Sequence, residues 1–214
     1  MHFDIRKIKH LKVSIDPLII TDLLLLAKAA PKIDAEVANI IDGEYVKIKK
    51  SEHCNASLVE YDVFSDKVDC IIEHCSKLVK DQYGLNCISQ EIEFVYYSTG
   101  TSYCPHVDGQ AINMNVATRG NIQRDITCVV YLNNDYEDGE LYFQFFNLMV
   151  KPDAGDIIMY PSSWTYIHGV EPVNGERYAL VIWFKTDPPA YSLEDEIITD
   201  PRVLRVLSAQ KRIK

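Results

Sequence analysis

Apolar positions recur at helical spacing in the first third of the chain and at strand spacing in the second half. The run "IDPLIITDLLLLAKAA" (15–30) opens on Asp16, whose side chain can cap a helix start, and Pro17, whose fixed φ suits the first helical position. Pro31 stops it. In "FSDKVDCIIEHCSKLVKDQYG" (64–84), Val68, Ile71, Ile72, Cys75, Leu78 and Val79 form one stripe of a second helix, with Ser65 as cap and Gly84 as terminator. Beyond Ile88 the period shortens. "EIEFVYY", "DITCVVYLN", "ELYFQFF", "DIIMY" and "RYALVIWFK" are short runs rich in β-branched and aromatic residues, separated by Gly, Pro, Asn and Asp. They predict an antiparallel sandwich or barrel over 91–185. Helical spacing returns in "DPRVLRVLSAQKR" (200–212). The expected organisation is one domain over 1–214: a helical or mixed support (1–90), a β core (91–185) and a C-terminal tail with a helix (186–214).

Composition narrows the choice of function. With 47% hydrophobic residues in 214, the chain can bury a sizeable core, and its net charge of −9 argues against nucleic acid and anionic membranes, which need a concentrated basic face. The apolar run 23–27 is far too short to cross a bilayer, and the N-terminus lacks an apolar stretch of signal length. The six cysteines form no tight framework and are read as reduced thiols, so a cytoplasmic location is expected. Oligomeric state is not legible.

The candidate chemistry lies in "YCPHVD" (103–108). On a strand, His106 and Asp108 point to one face, with Val107 turned away. One nitrogen and one carboxylate undersupply a metal. Of the other histidines only His168, in "YIHGVEPV", lies in the β region. Two histidines and a carboxylate make the facial arrangement of non-haem Fe(II) sites, with open positions left for chemistry. Taken alone, an H-x-D tripeptide is common and a single sheet histidine more often packs or hydrogen-bonds. On the last β run, alternation places Arg177, Ala179, Val181 and Trp183 on one face and Tyr178, Leu180, Ile182 and Phe184 on the other. An arginine heading an apolar face invites a buried anion, the alternative being a surface arginine.

Three ordered segments sharpen this reading. "YSTGTSYCPHVD" (97–108) resembles the Y-x-x-G-x-x-Y-x-x-H-x-D segment of the prolyl-4-hydroxylase-like 2-oxoglutarate/Fe(II) dioxygenases. "RDITCVVYLNNDYEDGELYF" (124–143) and "KPDAGDIIMYPSSWTYIHGVEPVNGERYALVIWF" (151–184) are similar to that family's next two stretches, in order and at compatible spacing. The resemblance implies a double-stranded β-helix, the jelly-roll or cupin-like core, within an α+β, mainly β chain, buttressed by N-terminal and C-terminal helices. It implies Fe(II) held by His106, Asp108 and His168, 2-oxoglutarate and O2 as cosubstrates, and ascorbate (vitamin C) as an auxiliary reductant. It places Arg177 on the far carboxylate of 2-oxoglutarate and Tyr97 and Tyr131 beside that cosubstrate, where each could equally be a core aromatic. Tyr103 and Trp183 line the substrate pocket on the same footing. Asp138 and Leu141 depart from the family pattern, in a tight turn and the strand after it. Retention of Asp108 favours hydroxylation over halogenation.

The prime substrate is not written in the sequence. The polar segment 109–124, with Arg119 as a contact for an acidic group, is the candidate substrate loop or lid. The leading expectation is hydroxylation of a prolyl residue in a protein or peptide. The same chemistry on a free amino acid or small metabolite is the alternative, and a non-enzymatic cupin-like metal- or ligand-binding module is the third reading.

Overall fold

The first helix forms as its ends dictate. In the computed structural model, α1 runs Pro17–Ala29, Asp16 accepts the Leu18 amide at 2.9 Å, and Ile20, Leu23 and Ala27 are its buried face. The second, α2, spans Ser65–Tyr83, and Gly84 ends it at φ +73° with its amide on the Lys80 carbonyl. The structure describes residues 5–12, 14–41, 44–49, 56–59, 65–109 and 124–187, with the backbone only over 36–49. The expected C-terminal helix, the loop 110–123 and Arg119 lie outside the described residues.

The described residues form fifteen strands, numbered in chain order. The N-terminal part contributes β1 (Lys9–Leu11), β2 (Lys32–Asp34), β3 (Glu36–Ile41), β4 (Glu44–Lys49) and β5 (Ser57–Val59). The β core contains β6 (Asn86–Tyr97), β7 (Tyr103–His106), β8 (Ile126–Tyr131), β9 (Glu137–Asp138), β10 (Leu141–Phe143), β11 (Leu148–Val150), β12 (Ile157–Pro161), β13 (His168–Val170), β14 (Val173–Asn174) and β15 (Arg177–Asp187). They form a seven-stranded sheet, β1-β12-β8-β15-β6-β5-β2, a four-stranded sheet, β11-β10-β13-β7, and two two-stranded pairs, β14-β9 and β3-β4. Every described pairing is antiparallel. The first 90 residues are therefore more than a helical support, because β1, β2 and β5 extend the large sheet.

Strand alternation divides the interior into two cores. Phe94, Cys128, Val130, Ile157, Met159, Leu180, Ile182 and Phe184, from one face of the large sheet, cluster with Ile20, Leu23 and Ala27 of α1 and Ile71, Cys75 and Val79 of α2. The intervening residues Val95, Tyr97, Val129, Tyr131, Ile158, Tyr160 and Ala179 turn the other way and pack with Leu141, Phe143 and Val170 of the small sheet. Both faces of the central strands are thus buried, which explains why "ITCVVY" reads as an unbroken apolar run with a single threonine. Asp138, the departure from the family's turn glycine, adopts φ +55°, a left-handed conformation that aspartate tolerates better than most side chains.

Candidate active site

His106, Asp108 and His168 converge between the two sheets, their ligand atoms within 4.8 Å of one another. β13 pairs with β7 so that His168 stands opposite His106, with imidazole centroids 4.3 Å apart. Asp108 arrives differently from the sequence expectation. Strand β7 ends at His106, and Asp108 sits in the bend that follows rather than two places along a strand. The neighbouring Gly109 holds that bend: its amide donates to the Ser162 carbonyl at 2.7 Å, and a Cβ there would collide with the same oxygen.

Each ligand atom is aimed by a second bond. Nδ1 of His106 lies 2.9 Å from the Cys104 carbonyl and Nδ1 of His168 lies 3.0 Å from the Tyr166 carbonyl. A carbonyl can only accept, so both Nδ1 atoms carry hydrogen and both Nε2 lone pairs are left facing Asp108. Nε2 of His106 stands 3.4 Å from Asp108 Oδ1, and Nε2 of His168 stands 3.6 Å from Oδ2. Thr127 donates to Asp108 Oδ2 at 2.8 Å, and Ser162 stands 2.8 Å from the Thr127 hydroxyl. The Tyr160 hydroxyl is 3.0 Å from the same Oδ2 and 2.9 Å from His168 Nε2, so its one proton is shared between two acceptors. Oδ2 is thereby engaged by the protein, while no hydroxyl binds Oδ1.

Electrostatics follow from burial and neighbours. Burial alone would raise the Asp108 carboxyl, but His168, His106 and the Thr127 hydrogen bond outweigh it and hold the group well below the usual carboxylate range. Burial, with His106 adding to it, lowers His168 to about 4, so it is neutral near pH 7. For His106, burial pulls downward but the facing Asp108 wins and the net shift is upward. The Asp108 carboxylate therefore favours a positive charge beside it, the place a divalent cation would take.

The inner face of the large sheet, which carries Thr127 and Tyr160, also carries Arg177, 2% exposed. Its Nη2 donates to the Tyr131 hydroxyl at 3.2 Å, and its guanidinium carbon lies 4.7 Å from the Tyr97 ring centroid and 5.0 Å from that of Tyr131. Nε and Nη1 are buried with no hydrogen-bond partner among the described residues. Tyr136 is close enough to feel the guanidinium, yet its hydroxyl makes no hydrogen bond of proper geometry. Burial pushes the Tyr131 hydroxyl up to about 12, so it keeps its proton, which an anion beside Arg177 can receive. Tyr131 and Tyr97 are also within electrostatic reach of Tyr160, which links this end of the face to the histidines.

Tyr103 lies half-buried on β7, its ring 4.5 Å from that of His106. Trp183 is buried opposite Thr127 in the β15–β8 register. Two contributors, Tyr160 and Arg124, escaped the sequence reading, and the Thr127 hydroxyl, which strand packing alone would explain, is a third. Tyr160 carries the one hydroxyl in "DIIMY", at the inward parity of that strand, and Thr127 stands at the inward parity of its own run. Alternation alone could have marked both. Arg124 gave no local signal. It ion-pairs with Glu91, its Nη1 reaches the Asp108 carbonyl at 3.3 Å, and its guanidinium carbon lies 3.9 Å from the Trp183 ring centroid.

An antiparallel two-sheet core around a His/Asp/His cluster defines the class, and a family comparison agrees. Residues 92–185 match the model of the 2OG-Fe(II) oxygenase superfamily. Among curated proteins, a PKHD-type hydroxylase of Stenotrophomonas maltophilia (strain R551-3) is 40% identical over 98 residues, 44% of this chain and 42% of that protein. Prolyl 3-hydroxylase 2 of Rattus norvegicus is 35% identical over 85 residues, 35% of this chain and 12% of that protein. The chain thus spans less than half the length of the curated relatives it matches. Among solved structures, the viral collagen prolyl hydroxylase of Paramecium Bursaria Chlorella virus-1, in complex with 2OG, aligns with TM-score 0.62 at 18% identity, covering 86% of this chain and 98% of that one. A Trichoplax adhaerens prolyl hydroxylase in complex with a peptide fragment aligns with TM-score 0.64 at 14% identity, covering 87% and 86%. These likenesses establish the jelly-roll fold. No described helix is long and apolar enough to cross a membrane.

Proposed function

We propose that this protein is an Fe(II)- and 2-oxoglutarate-dependent hydroxylase whose prime substrate is a prolyl residue in a peptide or protein. One observation carries it: a His/Asp/His cluster is hydrogen-bonded to Thr127 and Tyr160 on the inner face of the large sheet, and that same face carries an arginine whose Nε and Nη1 have no partner among the described residues. A buried guanidinium with idle donors is costly unless an anion completes it, and a planar carboxylate matches its fork. The donor set fits the metal equally well, since two neutral imidazoles and a carboxylate on one side suit Fe(II) and leave positions open. Similarity to PKHD-type and prolyl hydroxylases supports the substrate class.

In this reading His106, Asp108 and His168 hold the iron through Nε2, Oδ1 and Nε2. Bound together, iron and 2-oxoglutarate supply the oxidising chemistry that consumes O2, releases succinate and CO2 and places oxygen on a C–H bond. Arg177 grips the distal carboxylate, and Tyr131 donates its retained proton to it. Tyr97 keeps the guanidinium flat against an aromatic face. Thr127 and Tyr160 hold Asp108 Oδ2 so that Oδ1 keeps one direction. Tyr103 and Trp183 are the aromatic walls against which a pyrrolidine ring can lie.

The test combines two measurements on the iron-loaded protein. An anaerobic 2-oxoglutarate titration should saturate, and a turnover screen of prolyl peptides should give succinate together with a product heavier by one oxygen atom. A screen in which free amino acids alone are oxygenated replaces the peptide substrate with a metabolite. Absence of both 2-oxoglutarate binding and succinate formation rejects the hydroxylase.

A further inference from the structure

The inner face of the large sheet carries one charge that the roles above leave unused. Alternation along β6 puts Glu91, Glu93, Val95 and Tyr97 on that face, opposite Trp183, Val181, Ala179 and Arg177 of β15 respectively. Glu93 therefore stands between the arginine end and the Trp183–Thr127 end, within electrostatic reach of Asp108, His106, Glu91 and Arg124. Its neighbours in the sheet on that face include Val95, Val181 and Val129, and burial raises its carboxyl from the ordinary value, so a cation brought beside it would restore the carboxylate.

We propose that Glu93, with the indole N–H of Trp183, forms the substrate subsite and selects a substrate bearing an ammonium or guanidinium group beside the carbon to be oxidised. The proposal rests on the hydroxylase reading and names its substrate class. Two independent observations carry it. The first is charge. Arg124 satisfies Glu91, with Nε at 2.6 Å from Oε2 and Nη2 paired to the same oxygen, and spends its remaining reach on the Asp108 carbonyl and the Trp183 ring. No described side chain bonds or ion-pairs Glu93 in the same way. When the site is filled, the ferrous ion and Arg177 together balance the 2-oxoglutarate dianion and Asp108. Glu91 and Arg124 balance each other, and the carboxylate of Glu93 is what remains. An uncompensated carboxylate on a half-buried wall favours a cationic partner. The second is the idle donor: Trp183 is 5% exposed, faces the same side, and its Nε1 has no hydrogen-bond partner among the described residues. A buried N–H without an acceptor is unfavourable, and a substrate carbonyl would complete it. A cation and a carbonyl together describe a basic amino-acid residue, in a peptide or free.

The test uses the iron-loaded protein with 2-oxoglutarate under argon. Calorimetric titrations compare acetyl-Lys-Pro-Lys-amide with its Gln and Glu counterparts and with free L-lysine. The lysine peptide should bind about tenfold tighter than the glutamine peptide, and the glutamate peptide weakest. Glu93→Gln should bring the lysine and glutamine peptides together, and Glu93→Lys should reverse the order. General acidity of the chain cannot imitate this, since Glu93→Gln removes one acidic side chain out of 31. Trp183→Phe should weaken all three peptides without changing their order. Tight binding of L-lysine with no peptide response, lost in Glu93→Gln, supports the same subsite for a free amino acid. Equal binding of the three peptides, binding of none of the four probes, or a lysine preference that survives Glu93→Gln overturns it. A failed 2-oxoglutarate titration of the wild-type protein instead rejects the hydroxylase itself.

Discussion

Asp108 illustrates how much of the site is decided atom by atom. Its Oδ2 accepts from Thr127 and Tyr160, so the other oxygen alone is left for a metal. Tyr160→Phe removes a hydrogen bond from Asp108 and the hydroxyl beside His168 while preserving the ring packed on Phe143. Losing such an outer partner of a metal ligand typically weakens metal binding about 10- to 100-fold. An anaerobic Fe(II) titration should show that loss with folding intact; unchanged affinity would make the tyrosine a packing residue. Under the proposed function, Arg177→Ala removes the cation that would meet the cosubstrate. Breaking a buried charge pair costs about 3–5 kcal/mol, so apparent 2-oxoglutarate affinity should fall by about two orders of magnitude or more, with iron binding nearly unchanged. An unaltered cosubstrate titration would move the anchor elsewhere.

At the scale of elements, the bend after β7 and the helical face on the outer core have separate jobs. The bend presents Asp108, and Gly109 lets it approach the Ser162 carbonyl. Gly109→Ala must push the backbone away from that oxygen. We expect weaker iron binding with little change in the circular-dichroism spectrum, whereas wild-type affinity would show that the bend can yield. Helix α2 contributes Ile71, 1% exposed, to the outer core. Ile71→Ala should cost about 2–5 kcal/mol in urea unfolding, the usual range for a buried large-to-small change. Its effect on 2-oxoglutarate binding should be small, because the large sheet separates the outer core from the site.

Across the whole molecule, ligand binding and stability are linked. A ligand that binds only the folded state at a hundredfold excess over its Kd stabilises by about 2.7 kcal/mol. Fe(II) or a redox-inert divalent substitute should raise the unfolding temperature, and 2-oxoglutarate should raise it further. His168→Ala should abolish the first increment, and Arg177→Ala only the second. A melting temperature indifferent to both ligands would contradict a site in which cluster and arginine act together.

The sequence by itself determined the periodicities, and with them the two helices, the antiparallel β core and the division of β15 into two faces. Asp16, Pro17 and Gly84 acted as their side chains or missing side chains dictate, because caps and terminators work through bonds only a few residues away. His106, Asp108, His168 and Arg177 stood out singly as polar positions in the β region, and the resemblance to the 2-oxoglutarate/Fe(II) dioxygenases joined them into one set. The tertiary structure decided which distant residues meet. That β1 lies against β12, that Arg124 finds Glu91, and that Tyr160 stands between Asp108 and His168 depend on strand register, which is settled by packing over long separations in the chain. Asp108 entering the site from a bend, and Glu93 facing it without a described partner, are consequences of the same register. Local pattern tells which way a side chain points along its own strand; the assembled sheets alone supply the groups it points at.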